Sequence, residues 1–198
     1  LSPALLSAFV TERSAAGPLL VAGERSAGVY DLLEYLVVDE TRRKLPDALY
    51  LLTIGIPTRL SSELAGLPHQ RAGIVDPADT AAVEQLLDEL RSELERRLQT
   101  GQGASPDVLL VVDEWGDLPS CGSLPDLLAA HGSAVGIRVI AATTHGADEG
   151  LDDWVRLFAT RLVLRVGSEI ASLRLLGEPG AEDLDWVGQL WPRLCGHV

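Results

Sequence analysis

Val108 to Val112 form an unbroken apolar run between Asp107 and the pair Asp113-Glu114. A run this short, β-branched at three of its five positions, suits a strand buried on both faces, as in a parallel sheet flanked by helices. Similar compact runs predict strands at Leu19–Ala22, Leu49–Ile54, Ile137–Thr143 and Leu162–Val166, with a short edge segment at Gly73–Val75 and a closing strand at Leu194–Val198. Between them the apolar spacing changes to three and four residues, the period of a helix face. Val29–Val38 carries Leu32, Leu33, Leu36 and Val37 on one side. Asp76 as N-cap and Pro77 at the first helical position open a longer helix, which buries Val83, Leu86, Leu87, Leu90, Leu94 and Leu98 and ends near Gly101. Shorter helices are expected at Leu124–His131, at Leu151–Phe158, and from a Ser168 cap through Leu176. Residues 1–17 read as a short helix or strand, 55–70 as irregular, and 144–150 as a polar loop. Strands alternating with helices predict βαβ units: an α/β domain over residues 1–198, with a mainly parallel central sheet and helices on both faces.

Composition narrows what such a sheet can do. The net charge is −13, with 16 basic residues against 29 acidic ones and a single Lys, Lys44. Affinity for a phosphate backbone comes from clustered Lys and Arg that release counterions, so the chain is a poor DNA clamp by itself. Cys121 and Cys195 lie far apart without a Cys-x-x-Cys, and the four His show no ligand spacing, which argues against a disulfide framework or a zinc site. No apolar stretch approaches the roughly 18 residues that span a membrane. The start at Leu1 lacks a basic segment, and the chain contains no Met, so a piece of a larger multi-domain protein is expected.

Two places carry candidate chemistry. Leu19–Ala22 runs into Gly23-Glu24-Arg25-Ser26-Ala27-Gly28 and then a helix, the strand–loop–helix setting of a phosphate-binding loop. Asp113 and Glu114 close a buried strand, and open α/β sheets bind ligands at the carboxyl ends of their strands.

Taken in order, the chain resembles the motor domain of the FtsK/SpoIIIE family, which includes the EccC ATPases of type VII secretion. Leu19-Leu20-Val21-Ala22-Gly23 matches the first half of the family's P-loop strand. Val112-Asp113-Glu114-Trp115-Gly116-Asp117-Leu118 matches its Walker B segment, and Ala134–Thr144 is similar to its next strand. Arg161 to Leu184 follows its later pattern at Arg165, Val166, Ser168, Ser172, Leu176, Gly180, Ala181 and Leu184. The resemblance covers roughly residues 18–185. It implies a RecA-like P-loop fold that uses ATP and magnesium. Asp113 would hold the ion, Glu114 would polarise water, and Thr144 would stand at the sensor position. Arg161 and Arg165 would be arginine-finger candidates or strand-flanking charges.

The chain departs from that pattern where phosphates bind. Gly23 and Gly28 keep the loop's glycines, but the Lys that reaches the β- and γ-phosphates is Val29, and the Ser/Thr that binds magnesium is Tyr30. Ser26 and Ala27 replace the usual Ser-Gly-type positions, and Glu24 brings a negative charge into the loop. Arg25 lies within the loop, yet a guanidinium fork does not replace that Lys. Losing the Lys and the hydroxyl is expected to remove several kcal/mol of charge stabilisation in phosphoryl transfer. A degenerate ATPase module of EccC type, acting through protein contacts with little or no hydrolysis, is therefore the expected function. Its partners would be other ATPase modules of the same chain or ring and a secreted protein substrate. It would reside in the cytoplasm, at the membrane face only through the rest of the parent. The alternative is an ATP-dependent DNA translocase motor of FtsK/SpoIIIE type.

Overall fold

A computed structural model describes residues 17–101, 106–119, 122–144, 154–184 and 191–194. The strands are β1 (Leu19–Ala22), β2 (Leu49–Ile54), β3 (Gln70–Val75), β4 (Asp107–Asp113), β5 (Ile137–Thr143), β6 (Thr160–Val163) and β7 (Trp191–Leu194). They form one sheet in the order β3-β2-β4-β5-β1-β6-β7, parallel except for β7, which pairs antiparallel with β6. The helices are α1 (Val29–Arg43), α2 (Thr58–Ala65), α3 (Thr80–Thr100), α4 (Leu124–Leu127) and α5 (Glu169–Leu176). The chain widens after α4 into a π turn at Leu128–Gly132 and tightens into a 3-10 turn at Ser133–Val135.

Alternation along the strands sends side chains to two cores. Leu19 and Val21 of β1, with Leu109 and Val111 of β4, pack beneath α1 and α2. Leu20, Leu110 and Val112 face the opposite core with α3, α4 and α5. A parallel sheet covered on both faces must be apolar on both, which is why these strands read as continuous runs. Arg97 of α3 is 2% exposed and ties that helix to the strand entrances, donating to the carbonyls of Val135 and Pro106 at 2.9 and 2.8 Å. The expected α/β architecture, mainly parallel with helices on both faces, is the one found.

Several boundaries differ from expectation. The stretch 55–70 is not wholly irregular, since α2 occupies Thr58–Ala65 and buries Leu60 and Leu64, one turn apart. Asp76 does not cap α3: its carboxylate accepts from the Ala78 N–H in a turn at 2.9 Å. Asp79 takes the cap, accepting from the Ala82 N–H at 3.1 Å. Leu98 is 37% exposed and lies outside the buried face of α3. The first helix runs on to Arg43, and its last turns bury the polar residues Glu40 and Thr41. β6 starts two residues before the expected strand, and β7 ends at Leu194, where the expected closing strand begins. Residues 1–16, 145–153 and 195–198 lie outside the described residues, and so do the expectations that fall on them.

Candidate functional site

Parallel pairing of β1 with β5 and β6, and of β4 with β5, brings the carboxyl ends of these strands to one edge. β1 leads into Gly23, whose φ is +156°. A Cβ there would lie 3.0 Å from the Leu164 Cβ and 3.2 Å from the Arg165 carbonyl, so the loop can approach the β6 end only as glycine. The next residue fixes that approach. Its N–H donates to the Arg165 carbonyl at 2.8 Å, and the Glu24 carboxylate accepts from Arg165 Nε at 3.2 Å and Nη2 at 3.0 Å.

The loop then folds into a 3-10 turn at Arg25–Ala27, with the Ala27 N–H donating to the Glu24 carbonyl at 2.8 Å. That bond uses inside the chain an N–H of the kind a phosphate cradle directs at its ligand. Gly28, at φ 96°, starts α1 without a side-chain cap. Ser26 and Arg25 are exposed, and Arg25 lies 6.0 Å from the centroid of the Tyr30 ring. Val29 is fully buried in the core beneath α1, together with Ala27, Leu33 and Val21. The residue that the sequence resemblance sets in place of a phosphate-binding Lys thus faces the core.

Tyr30 points across to the end of β4, where its hydroxyl donates to Asp113 Oδ2 at 3.1 Å. Asp113 Oδ1 is buried without a hydrogen-bond partner. Burial, then the neighbouring Glu114 charge, pushes the Asp113 carboxyl up to about 6. Burial, then the Asp113 charge, pushes the Tyr30 phenol up to about 12, so it remains a protonated donor at neutral pH.

Glu114 adopts the left-handed conformation at φ 51°, alone among the described non-glycine residues. Its N–H bonds the Ala142 carbonyl of β5 at 2.9 Å. One carboxylate oxygen accepts from Thr143 Oγ1 at 2.7 Å, and the other from the Thr144 N–H at 2.8 Å and Thr144 Oγ1 at 2.7 Å. Both carboxylate oxygens of Glu114 are therefore bound to the end of β5. Behind it Trp115 meets Phe158 edge-on at 5.5 Å, and Phe158 meets Trp154 likewise at 5.8 Å. Asp117 follows in the turn, its N–H bonding the Glu114 carbonyl at 2.9 Å, and its side chain is exposed.

The arginine candidates part company. Arg161 is only 9% exposed and donates to the carbonyls of Phe158 at 3.1 Å and Leu175 at 2.9 Å. Those two bonds fasten β6 to the end of α5. Arg165 is half-exposed and engages Glu24. The structure thus gathers Gly23, Gly28, Tyr30, Asp113, Glu114, Thr144 and Arg165 at one edge, turns Val29 inward and leaves Ser26 on the surface. The role of Thr143 and the pairing of Glu24 with Arg165 are not visible from sequence spacing, because both depend on which strands lie side by side.

A magnesium nucleotide in a P-loop fold needs a Lys on the β/γ-phosphates, a Ser or Thr hydroxyl on the ion and a strand carboxylate beside it. Here the first is a buried Val, and the second is a phenol that donates to the third. The donor set does not fit a magnesium nucleotide. Among the described residues, no group of three or more His, Cys, Asp or Glu is placed to hold a metal ion. Among them, too, no helix is long and apolar enough to cross a membrane.

Fold and corner together define an α/β sheet of RecA-like P-loop type. Solved structures share it. The cytoplasmic domain of the Thermomonospora curvata type VII secretion ATPase EccC matches with a TM-score of 0.77 and 20% identity, over 93% of this chain and 25% of that one. The pCW3 conjugation coupling protein TcpA, solved as a monomer with ATPγS, matches with a TM-score of 0.71 and 16% identity, over 92% of this chain and 58% of that one. ATPases 2 and 3 of T. curvata EccC, in complex with a signal sequence peptide, match with a TM-score of 0.61 and 21% identity, over 78% of this chain and 31% of that one. The chain thus spans between 25% and 58% of the length of these proteins. No protein-family model matches the sequence, and no curated protein matches it. The chain has the fold of EccC- and TcpA-type motor ATPase domains, the fold that the sequence resemblance implies.

Proposed function

We propose that the chain is a non-hydrolysing ATPase-fold module of a larger FtsK/SpoIIIE-like translocase of the EccC type, acting through contacts with other proteins. The observation that carries this reading is the Tyr30 hydroxyl bonded to Asp113 at 3.1 Å, beside a fully buried Val29. Phosphoryl transfer relies on positioning and on charges aimed at the phosphates, and this corner directs its charges at one another. The module's partners are neighbouring ATPase modules of the same chain or ring and a secreted protein substrate. Its place is the cytoplasmic side of a membrane, reached through the parent protein. The EccC neighbours support the type VII side of the reading, one of them having been solved with a signal sequence peptide. A DNA-translocating motor is the alternative, and the net charge of −13 weighs against it.

Phosphate release tests the proposal. The whole chain with ATP and magnesium gives the same rate as its Glu114→Gln variant and as buffer. Turnover that Glu114→Gln abolishes contradicts the reading. A shift of duplex DNA in low-salt gels by the chain would favour the motor instead.

A further inference from the structure

In a working P-loop fold the ligand is also a strut. The magnesium ion joins the loop hydroxyl to the strand carboxylate, and the phosphates join the loop to its neighbours. Without a ligand, such strand ends keep their backbone hydrogen bonds and lose that link. In this chain the same ends are joined by side chains. Tyr30, at the first turn of α1, reaches Asp113 at the end of β4 across 83 positions of sequence. Glu24, in the loop after β1, reaches Arg165 beyond β6 across 141 positions. A phenol extends farther from the backbone than a Ser hydroxyl, and here it closes the gap to the carboxylate with a 3.1 Å hydrogen bond. A Ser at this site needs the ion to reach the carboxylate, whereas a Tyr reaches it directly.

We propose that the Tyr30–Asp113 hydrogen bond and the Glu24–Arg165 ion pair stand in for the magnesium nucleotide as the strut of this fold, so that the ends of β1, β4 and β6 keep one arrangement whether or not nucleotide is present. The inference rests on the non-hydrolysing reading and adds to it. The loop does more than lack its Lys: it holds a built-in replacement for the ligand. The surface that these strand ends and the first turn of α1 present to a neighbouring module is then constant, with no nucleotide cycle to alter it. Arg165, a finger candidate by sequence, is spent on this tie as the partner of Glu24.

Hydrogen exchange on the whole chain tests the proposal, with the wild type measured with and without millimolar Mg·ATP. Amides of residues 24–32 and 113–117 exchange slowly in the wild type, at rates that Mg·ATP leaves unchanged. Tyr30→Phe keeps the ring and removes only the hydroxyl, and it speeds exchange in both segments about tenfold, as expected for one bond to a carboxylate. Glu24→Gln speeds exchange in residues 23–28 while leaving residues 113–117 slow. Asp113→Ala removes the acceptor of the phenol and speeds exchange in both segments, so it serves where Tyr30→Phe fails to fold. Wild-type rates in Tyr30→Phe overturn the strut and leave the non-hydrolysing reading standing. Added protection of the wild type by Mg·ATP overturns the strut, and phosphate release decides the non-hydrolysing reading separately.

Discussion

Glu114 and Thr144 are joined by two hydrogen bonds into one carboxylate oxygen, from the Thr144 N–H at 2.8 Å and its hydroxyl at 2.7 Å. Glu114 reaches them only by leaving its strand in the left-handed conformation, φ 51°, which costs a residue with a Cβ about 1 kcal/mol or more. The bonds to Thr143 and Thr144 offset that strain. Glu114→Ala keeps much of the strain and removes the acceptors. It should destabilise the chain by about 2 kcal/mol, read as a lower urea midpoint with an unchanged slope. Glu114→Gln retains an acceptor oxygen and should lose less.

Asp113 makes stability depend on pH in a direction opposite to that of a salt-bridged acid. Its folded pKa is raised from 3.8 to about 6, first by burial and then by Glu114. Between those values the native state holds more protons than the unfolded chain, so this group's contribution falls as pH rises from about 4 to 6. Above pH 6 the ionised, partly buried carboxylate is a standing cost. Asp113→Asn should therefore melt higher than the wild type at pH 8, by about 1–2 kcal/mol, with the gap narrowing toward pH 5. A gap that widens on acidification contradicts the assignment.

Arg161 offers a test of the distinction between a finger and a fastener. Removing it leaves the carbonyls of Phe158 and Leu175 without these bonds in a buried setting. Arg161→Ala should cost about 2–3 kcal/mol in denaturant unfolding of the isolated chain. An Arg161→Ala chain of unchanged stability contradicts the fastening role.

The strands at Leu19–Ala22, Leu49–Ile54 and Ile137–Thr143 were legible to the residue, because a sheet covered on both faces leaves continuous apolar runs. The start of β6 was not, since Thr160 and Arg161 are buried polar residues that break such a run. The α2 helix was hidden because Leu60 and Leu64 are its only fully covered apolar residues, between Pro57 and Pro68. Two Asp residues three apart, Asp76 and Asp79, offered two caps, and the Asp-Pro pair signalled the wrong one. At the site, spacing revealed which loop and which strand would meet. It could not reveal that Tyr30 bonds Asp113, that Glu114 is held by Thr143 and Thr144, or that Glu24 pairs with Arg165, because those contacts follow from strand order and reach.

The most direct test is a titration of the whole chain with a fluorescent ATP analogue and magnesium, run beside the Val29→Lys/Tyr30→Ser variant. Residues that turn one potential phosphate anchor into the core and spend the other on Asp113 predict no saturable binding by the wild type at micromolar analogue. The double variant, with Lys and hydroxyl restored, should gain binding. Micromolar affinity in the wild type that disappears in Asp113→Ala contradicts the account.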